Sequence, residues 1–280
     1  MANAFFFGEL GAGVFLAAFL YGSVVGMIVG VLITAILKTY FHLSHMGVPE
    51  RSWRAILRPD RSWISRGAIS IVIFTGAAIL YIVLGRLGLL GWLGLADGAF
   101  GRGLLWLVQL LAVVFAMVVM VYHGFAIADS SAISFWNTGM MPVSSFSYSF
   151  FAGLVVTMNL DPRAGAEAVG MMPPIHSAAL IALVLTIVIL AAMLQAANRG
   201  APGARMSLRL LLREGPYVKA FYGLVVLAGL VLPLVLLLAQ PSRIGDLLLA
   251  LGVLAGYYTF RSLVFKVGLY DPIISFAPES

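Results

Sequence analysis

The sequence predicts an all-α membrane protein, a polytopic bundle of about eight transmembrane helices, and three observations support this fold class. Hydrophobic residues occupy 62% of the 280 positions and charged residues only 10%. Soluble domains carry charges at roughly 25% of positions, so this chain has too few to cover a water-facing surface. Its uncharged runs of about 20 residues match a hydrocarbon core about 30 Å thick. These runs lack the strict alternation of membrane barrel strands, so the spanning units are expected to be helices.

The N-terminal apolar stretch is too long for one transmembrane helix. From Ala4 to Phe41 a single helix would measure about 57 Å, nearly twice the bilayer core. We therefore predict two helices joined by a tight turn at Gly22 and Ser23, where glycine relieves the steric cost of reversal. This gives eight helices, against seven if the stretch is continuous, in a single domain over residues 1–280. The stretches free of acidic and basic residues are 10–37, 67–85, 103–128, 130–160, 168–198, 220–242 and 247–260.

The distribution of Lys and Arg predicts the orientation, because cytoplasmic loops collect positive charge. One side receives six basic residues in 38–66, five in 197–219, and Arg261 and Lys266 after the last apolar stretch; the other side receives four. We therefore expect the His45 loop and the C-terminus to be cytoplasmic, in the cytoplasmic membrane of a bacterium or archaeon. Topology and lipid headgroups account for the net charge of +6, so nucleic-acid binding is not predicted.

The absence of cysteine limits which cofactors this chain can hold. Thiolate-bound iron–sulfur clusters, c-type haem and Cys-based zinc sites are excluded. His42 and His45 are spaced to share one helix face, but no carboxylate or third histidine joins them, so no metal site is predicted. A b-type haem between His42 and His123 remains an alternative.

Polar side chains inside the apolar stretches are the candidate reactive groups, because burying them in a membrane is costly. Glu9 is the acidic residue of the N-terminal stretch; it is either a proton acceptor at a buried site or a carboxylate facing water near the surface. Tyr122 and His123 are neighbours in the stretch 103–128 and form a phenol–imidazole pair suited to proton transfer. The alternative for Tyr122 is an anchor at the membrane interface.

The loop after the second predicted helix combines hydrogen-bond donors with aromatic residues suited to headgroup depth, Trp53 and Trp63. His45 and Arg51 bracket Gly47, and such donors at a membrane surface can bind the oxygen atoms of a lipid-soluble quinone. Gly47 would let the ring approach the backbone. The alternative is an arginine-rich loop that binds lipid phosphates.

Three motifs occur in order along the first half of the chain. They are Gly11-Ala12-Gly13-Val14-Phe15-Leu16; His45-x-Gly47-x-Pro49-x-Arg51-x-Trp53-Arg54-Ala55 with Ser62-Trp63-Ile64-Ser65-Arg66; and Tyr122-x-Gly124-Phe125 with Phe135-Trp136-Asn137-Thr138 and Pro142. Together they resemble the NrfD-like family, the integral membrane anchors of dimethyl sulfoxide reductase and polysulfide reductase type. The resemblance covers roughly residues 5–155, and the second half matches mainly in hydropathy.

The resemblance implies an eight-helix, haem-free subunit that binds menaquinone or ubiquinone in the half formed by about 1–160. It would exchange electrons with a four-cluster ferredoxin-like iron–sulfur subunit, which connects it to a molybdopterin catalytic subunit. The chain would then serve an oxidoreductase as its quinone-reactive subunit, without an active site for the terminal substrate. The alternatives are a polytopic small-molecule transporter and a b-type haem anchor.

The resemblance also assigns residues. His45, Gly47 and Arg51 match loop residues linked to quinol binding, and Tyr122 matches a tyrosine near the quinone. Gly67 stands where some members carry an acid. We therefore select Glu9 and His123 as candidates for the catalytic proton carrier on their chemistry alone. The predicted site residues are thus Glu9, His123, His45, Gly47, Arg51 and Tyr122.

Overall fold

The computed structural model describes residues 1–44, 46–96, 98–164, 170, 172–239 and 242–271. Within these ranges the chain is helical and contains no strand, and eight helices are long and apolar enough to cross a membrane. The predicted fold class is confirmed, and the chain is an integral multi-pass membrane protein. The eight helices are α1 (Ala2–Leu20), α2 (Val24–Leu43), α3 (Trp63–Arg86), α4 (Ala99–Ala128), α5 (Met140–Leu160), α6 (Ile175–Asn198), α7 (Val218–Leu238) and α8 (Arg243–Val267).

The predicted turn between the first two helices is present. Gly22 adopts a left-handed backbone conformation with φ of 72°, which costs glycine little because it has no Cβ atom. Ser23 then caps α2: its hydroxyl accepts a hydrogen bond from the backbone N–H of Gly26 at 3.2 Å. These two residues confirm eight helices over seven.

Shorter helices lie between the spans. A 3₁₀ helix, Pro49–Ile56, occupies the loop between α2 and α3, and an amphipathic helix, Pro202–Leu212, lies between α6 and α7. Inside α2 the segment Ile33–Lys38 is π-helical, and it carries both Thr34 and Lys38 on the buried side. Local π-helical turns of this kind are frequent at functional sites.

The first helix is the centre of the bundle, since α1 packs against α2, α4, α5 and α8. Its glycines permit backbone contact: a Cβ atom at Gly13 would overlap the carbonyl group of Ser149, and one at Gly153 would overlap the carbonyl group of Gly13. Small residues allow such close approach between transmembrane helices. The small-residue motif of the sequence therefore forms the crossing of α1 and α5.

The core divides into two apolar clusters that share α1. One is formed by α1 with α2, α3 and α4. The other is formed by α1 with α5 to α8 and the helix Pro202–Leu212. Residues on different sides of α1 therefore belong to the two apolar clusters.

Successive spans run in opposite directions, which places the termini of the helices on two faces. We call the first the basic face; it carries the N-terminus, the described residues of the loops 44–62, 129–139 and 199–217, and the end of α8. Asn3 accepts a hydrogen bond from the Tyr258 hydroxyl at this face. At the opposite face Arg86 donates to the carbonyl of Gly22, joining α3 to the first turn.

Two of the basic residues that the sequence assigned to loops are buried inside spanning helices. Arg261 is in α8 with 0% of its surface exposed, and Lys38 is in α2 with 6% exposed. Placing Arg261 and Lys266 after the last span was wrong, because the first charge ended an uncharged stretch although the helix continues to Val267. The other basic residues of that group remain at the basic face, and the cytoplasmic location of this face stays a prediction.

Candidate functional site

Residues from α1, α2, α4, α5 and α8 bring polar side chains to one buried location near the basic face. Each residue lies within about three turns of the basic-face end of its helix. All of them are buried, although most neighbouring side chains in the spans are apolar. We call this set the buried polar cluster; its members are Glu9, Lys38, Tyr122, His123, Ser145, Tyr148, Tyr257 and Arg261.

A carboxylate–guanidinium pair lies at the centre of the cluster. Arg261 Nε is 2.8 Å from Glu9 Oε2, and both side chains are fully buried. The Tyr257 hydroxyl donates a hydrogen bond to the same carboxylate oxygen. Arg261 Nη2 donates to the Ser145 hydroxyl at 2.6 Å, which fixes the guanidinium against α5. Since an unpaired charge in a membrane interior is costly, each member of this pair depends on the other.

The second carboxylate oxygen of Glu9 faces a histidine. His123 Nδ1 lies 3.7 Å from Glu9 Oε1, which is longer than a hydrogen bond. Among the described residues, neither ring nitrogen of His123 nor Glu9 Oε1 has a hydrogen-bond partner. Buried polar atoms are rarely left unpartnered, so these three atoms are available to a bound molecule or a transferred proton.

Packing holds the imidazole of His123 in this position. Its ring centroid lies 4.2 Å from that of Phe5 and 3.8 Å from that of Tyr122. A Cβ atom at Gly8 would lie 2.7 Å from His123 Cε1, so glycine at this position lets the ring rest against α1. The ring is therefore enclosed by α1 and its own neighbour on α4.

Tyr122 packs against α3 through a second glycine. A Cβ atom at Gly67 would overlap the phenol ring of Tyr122. Only 5% of the Tyr122 surface is exposed, so its interpretation as an anchor at the membrane interface was wrong. The same geometry explains the glycine at position 67, because the tyrosine ring occupies the space that a side chain would take.

A second cation faces His123 from α2. The side chain of Lys38 passes Gly8, with its Cγ atom 3.1 Å from the position of a Cβ atom there. Lys38 and His123 therefore lie against the same glycine of α1, while Arg261 lies beside Glu9. The cluster therefore surrounds one carboxylate and one imidazole with an excess of positive charge, which suits an electron-rich oxygen atom.

The structure brings together three of the six residues selected from the sequence. Glu9, Tyr122 and His123 belong to the cluster, and Glu9 is 0% exposed, so the interpretation of a water-facing carboxylate was wrong. Gly47 and Arg51 are exposed in the loop after α2, outside the cluster. His45 lies outside the described residues, and the roles predicted for these three loop residues stay predictions.

Sequence reasoning missed five members of the cluster as site residues: Lys38, Ser145, Tyr148, Tyr257 and Arg261. For Arg261 a signal was present, because the apolar pattern resumes after it with Leu263, Val264 and Phe265. A charge followed by such residues is typical of a buried ion within a helix. Hydroxyl groups such as those of Ser145 and Tyr257 gave no comparable signal.

Comparison with known proteins identifies the family. A family model described as polysulphide reductase, NrfD, matches residues 1–270, which extends the likeness beyond the motifs of the first half and includes α8. No curated protein matches the chain. Members of this family are membrane subunits of polysulfide reductase-type redox complexes. The chain therefore belongs to the NrfD family.

Proposed function

We propose that this chain is the quinone-reactive membrane anchor of an oxidoreductase complex and that the buried polar cluster is its quinone site. One observation carries the proposal: a fully buried carboxylate, Glu9, is ion-paired on one side and on the other faces the imidazole of His123, which has no hydrogen-bond partner in the described part of the chain. Intramembrane ionisable residues usually mark pathways for substrates, ions or protons. The NrfD family is associated with quinone-reactive subunits, which supports the same assignment.

The unpartnered atoms of the cluster fit menaquinone or ubiquinone. A quinone ring presents two carbonyl oxygens that accept hydrogen bonds, and the quinol presents two hydroxyl groups that also donate. Among described residues, Arg261 Nη1 is a buried donor without a partner, Glu9 Oε1 is an acceptor, and the His123 nitrogens provide one of each. Bound there, the quinone supplies two-electron, two-proton chemistry.

Side chains of the cluster would then accept and release the protons of the quinone reaction. His123 faces Glu9 across 3.7 Å, so a proton taken up by the imidazole needs only a small approach or one water molecule to reach the carboxylate. Arg261 and Tyr257 stabilise the ionised carboxylate before that transfer. Tyr122 holds the imidazole by ring contact at 3.8 Å and sets its orientation.

The electrons must be exchanged with a partner, because the chain contains no cysteine to ligate a cluster. We propose a four-cluster ferredoxin-like iron–sulfur subunit, itself bound to a molybdopterin subunit, docked on the basic face. The position of the buried polar cluster near that face supports this choice, since it shortens the electron path. Gly47 and Arg51 lie in a loop of the same face, and we propose that these two residues and His45 contact the quinone on its way to the cluster.

Substitution of Glu9 and of His123 tests the proposed quinone site. In the purified complex, Glu9→Gln and His123→Phe should each lower quinol-linked activity by about 10²- to 10⁴-fold, the usual contribution of general acid–base catalysis. Dye-linked activity of the partner subunits should be unchanged. His123→Phe keeps the ring contacts with Phe5 and Tyr122 and removes both nitrogens, so it separates chemistry from packing.

Glu50→Gln is the matched control, because Glu50 is an exposed carboxylate in the loop of the basic face. It should retain both activities. Loss of dye-linked and quinol-linked activity together in the two site variants would assign the cluster a structural role, and retention of quinol-linked activity would remove it from the mechanism.

A further inference from the structure

A groove at the basic face lies apart from the buried polar cluster. It has a volume of about 480 Å³ and is formed between the end of α6 and the helix Pro202–Leu212. The charged residues that line it in the described chain are three arginines: Arg205, Arg209 and Arg213. Gln195 and Asn198, in the last turn of α6, add amide groups. The lining is therefore rich in hydrogen-bond donors for an anion.

Arg205 and Arg209 lie on one side of an amphipathic helix, Pro202–Leu212, and Arg213 follows directly after its last residue. The spacing of four residues places the first two along one helical face about 6 Å apart. The other face of this helix is buried through Ala204 and Leu211, so the helix lies flat against the bundle, and the three arginines are exposed beside the groove. Guanidinium groups bind phosphate through paired N–H donors.

The groove is continuous with the membrane-facing surface of α6. Exposed apolar residues lead along this helix toward Gln195 at helical spacing: Ile181, Val184, Leu185 and Val188, between 47% and 58% exposed. With 24 residues, α6 is about 36 Å long, so its last turn reaches headgroup depth above a core of about 30 Å. A molecule with its anionic group among the arginines would therefore have its apolar part against α6.

We propose that this groove binds the phosphate headgroup of an anionic phospholipid, with an acyl chain along the outer surface of α6. Arg205, Arg209 and Arg213 contact the phosphate, and Gln195 and Asn198 donate to the glycerol and ester oxygens. The apolar surface of α6 selects a lipid over a soluble anion, and the arginines select an anionic lipid over a zwitterionic one.

Native mass spectrometry of the full chain in detergent tests the proposal, with dioleoyl phosphatidylglycerol, dioleoyl phosphatidylcholine and inorganic phosphate as probes. Phosphatidylglycerol should bind at least tenfold more tightly than phosphatidylcholine. Combined Arg205→Gln, Arg209→Gln and Arg213→Gln should weaken its binding on the order of 100-fold, and Arg209→Gln alone about fivefold. The single variant keeps the test informative if the triple variant does not fold.

The control removes three arginines from another loop of the same face, with Arg54→Gln, Arg58→Gln and Arg61→Gln, and should leave phosphatidylglycerol binding unchanged. Equal loss in this control would mean that the charge of the whole face, not the groove, attracts the lipid. Equal binding of the two lipids, or displacement of phosphatidylglycerol by millimolar inorganic phosphate, would also overturn the proposal; the latter would identify a site for soluble anions.

Discussion

At the scale of single residues, Glu9 has two kinds of neighbour. On one oxygen it has a fixed counter-charge, Arg261, together with the Tyr257 hydroxyl. On the other oxygen it has His123 at 3.7 Å and, among described residues, no hydrogen-bond partner. The first set stabilises the carboxylate in the membrane, and the second leaves it an atom for proton exchange.

The pairing of Glu9 with Arg261 leads to a stability prediction. Arg261→Gln should lower the free energy of unfolding by about 3–5 kcal/mol, because it leaves a buried carboxylate without its counter-charge. Adding Glu9→Gln should restore part of that loss, since the double variant buries no unpaired charge. Thermal and denaturant unfolding of all four forms in detergent measures this coupling; strictly additive losses would contradict it.

At the scale of helices, the crossing of α1 and α5 determines where Glu9 lies. Gly13 and Gly153 bring the two backbones into contact, with Ser149 beside them. Glu9 lies about one turn before this crossing on α1, and Ser145, which binds Arg261, lies about one turn before Ser149 on α5. Separating the helices would therefore move both ends of the ion-paired network.

A single added methyl group tests this dependence. Gly153→Ala should lower the free energy of unfolding by about 1–3 kcal/mol through overpacking, and should also lower quinol-linked activity. Gly103→Ala is the matched control, because a Cβ atom at Gly103 in α4 would meet nothing within 4 Å. It should be neutral or stabilising by up to about 1 kcal/mol. Equal effects of the two variants in unfolding measurements would show that the crossing is not tightly packed.

The helices were largely predictable from the sequence, and the network between them was not. Uncharged stretches locate the spans because charge is costly in lipid, and Gly22 with Ser23 marks the first turn for a steric reason. The same rule misplaced Arg261, because it treats every charge as a boundary and contains no information about a partner on another helix. Glu9 and His123 were found by their polarity in apolar stretches, whereas Tyr257 and Ser145 required the packing of α8 and α5 against α1.

At the scale of the whole molecule, the cluster draws on both halves of the chain. Glu9, Lys38, Tyr122 and His123 come from α1, α2 and α4, while Tyr257 and Arg261 come from α8. The half formed by about 1–160 therefore supplies most of the site without completing it. Because every contributing helix has one of its two ends at the basic face, close to the cluster, a partner docked on this face also lies close to the cluster.

Partner binding gives the corresponding prediction. Purified from its native membrane in mild detergent, the chain should retain iron and molybdenum, because the proposed partners carry the iron–sulfur clusters and the molybdopterin. Elemental analysis of the purified material measures both metals. Washing the purified complex with high salt should weaken binding at the basic face and release the two metal-containing partners together. Material free of both metals would favour the alternative of a small-molecule transporter.

The contact between α1 and α8 also constrains how the protein is made. Tyr257, which donates to Glu9, lies 248 residues after it in the chain. Ribosomes add about 5–20 residues per second, so roughly 12–50 seconds pass between the synthesis of Glu9 in the first helix and that of Tyr257 in the last one. During that time the newly inserted acid has no cation from α8, and biogenesis must hold it neutral or near the bilayer surface until synthesis ends.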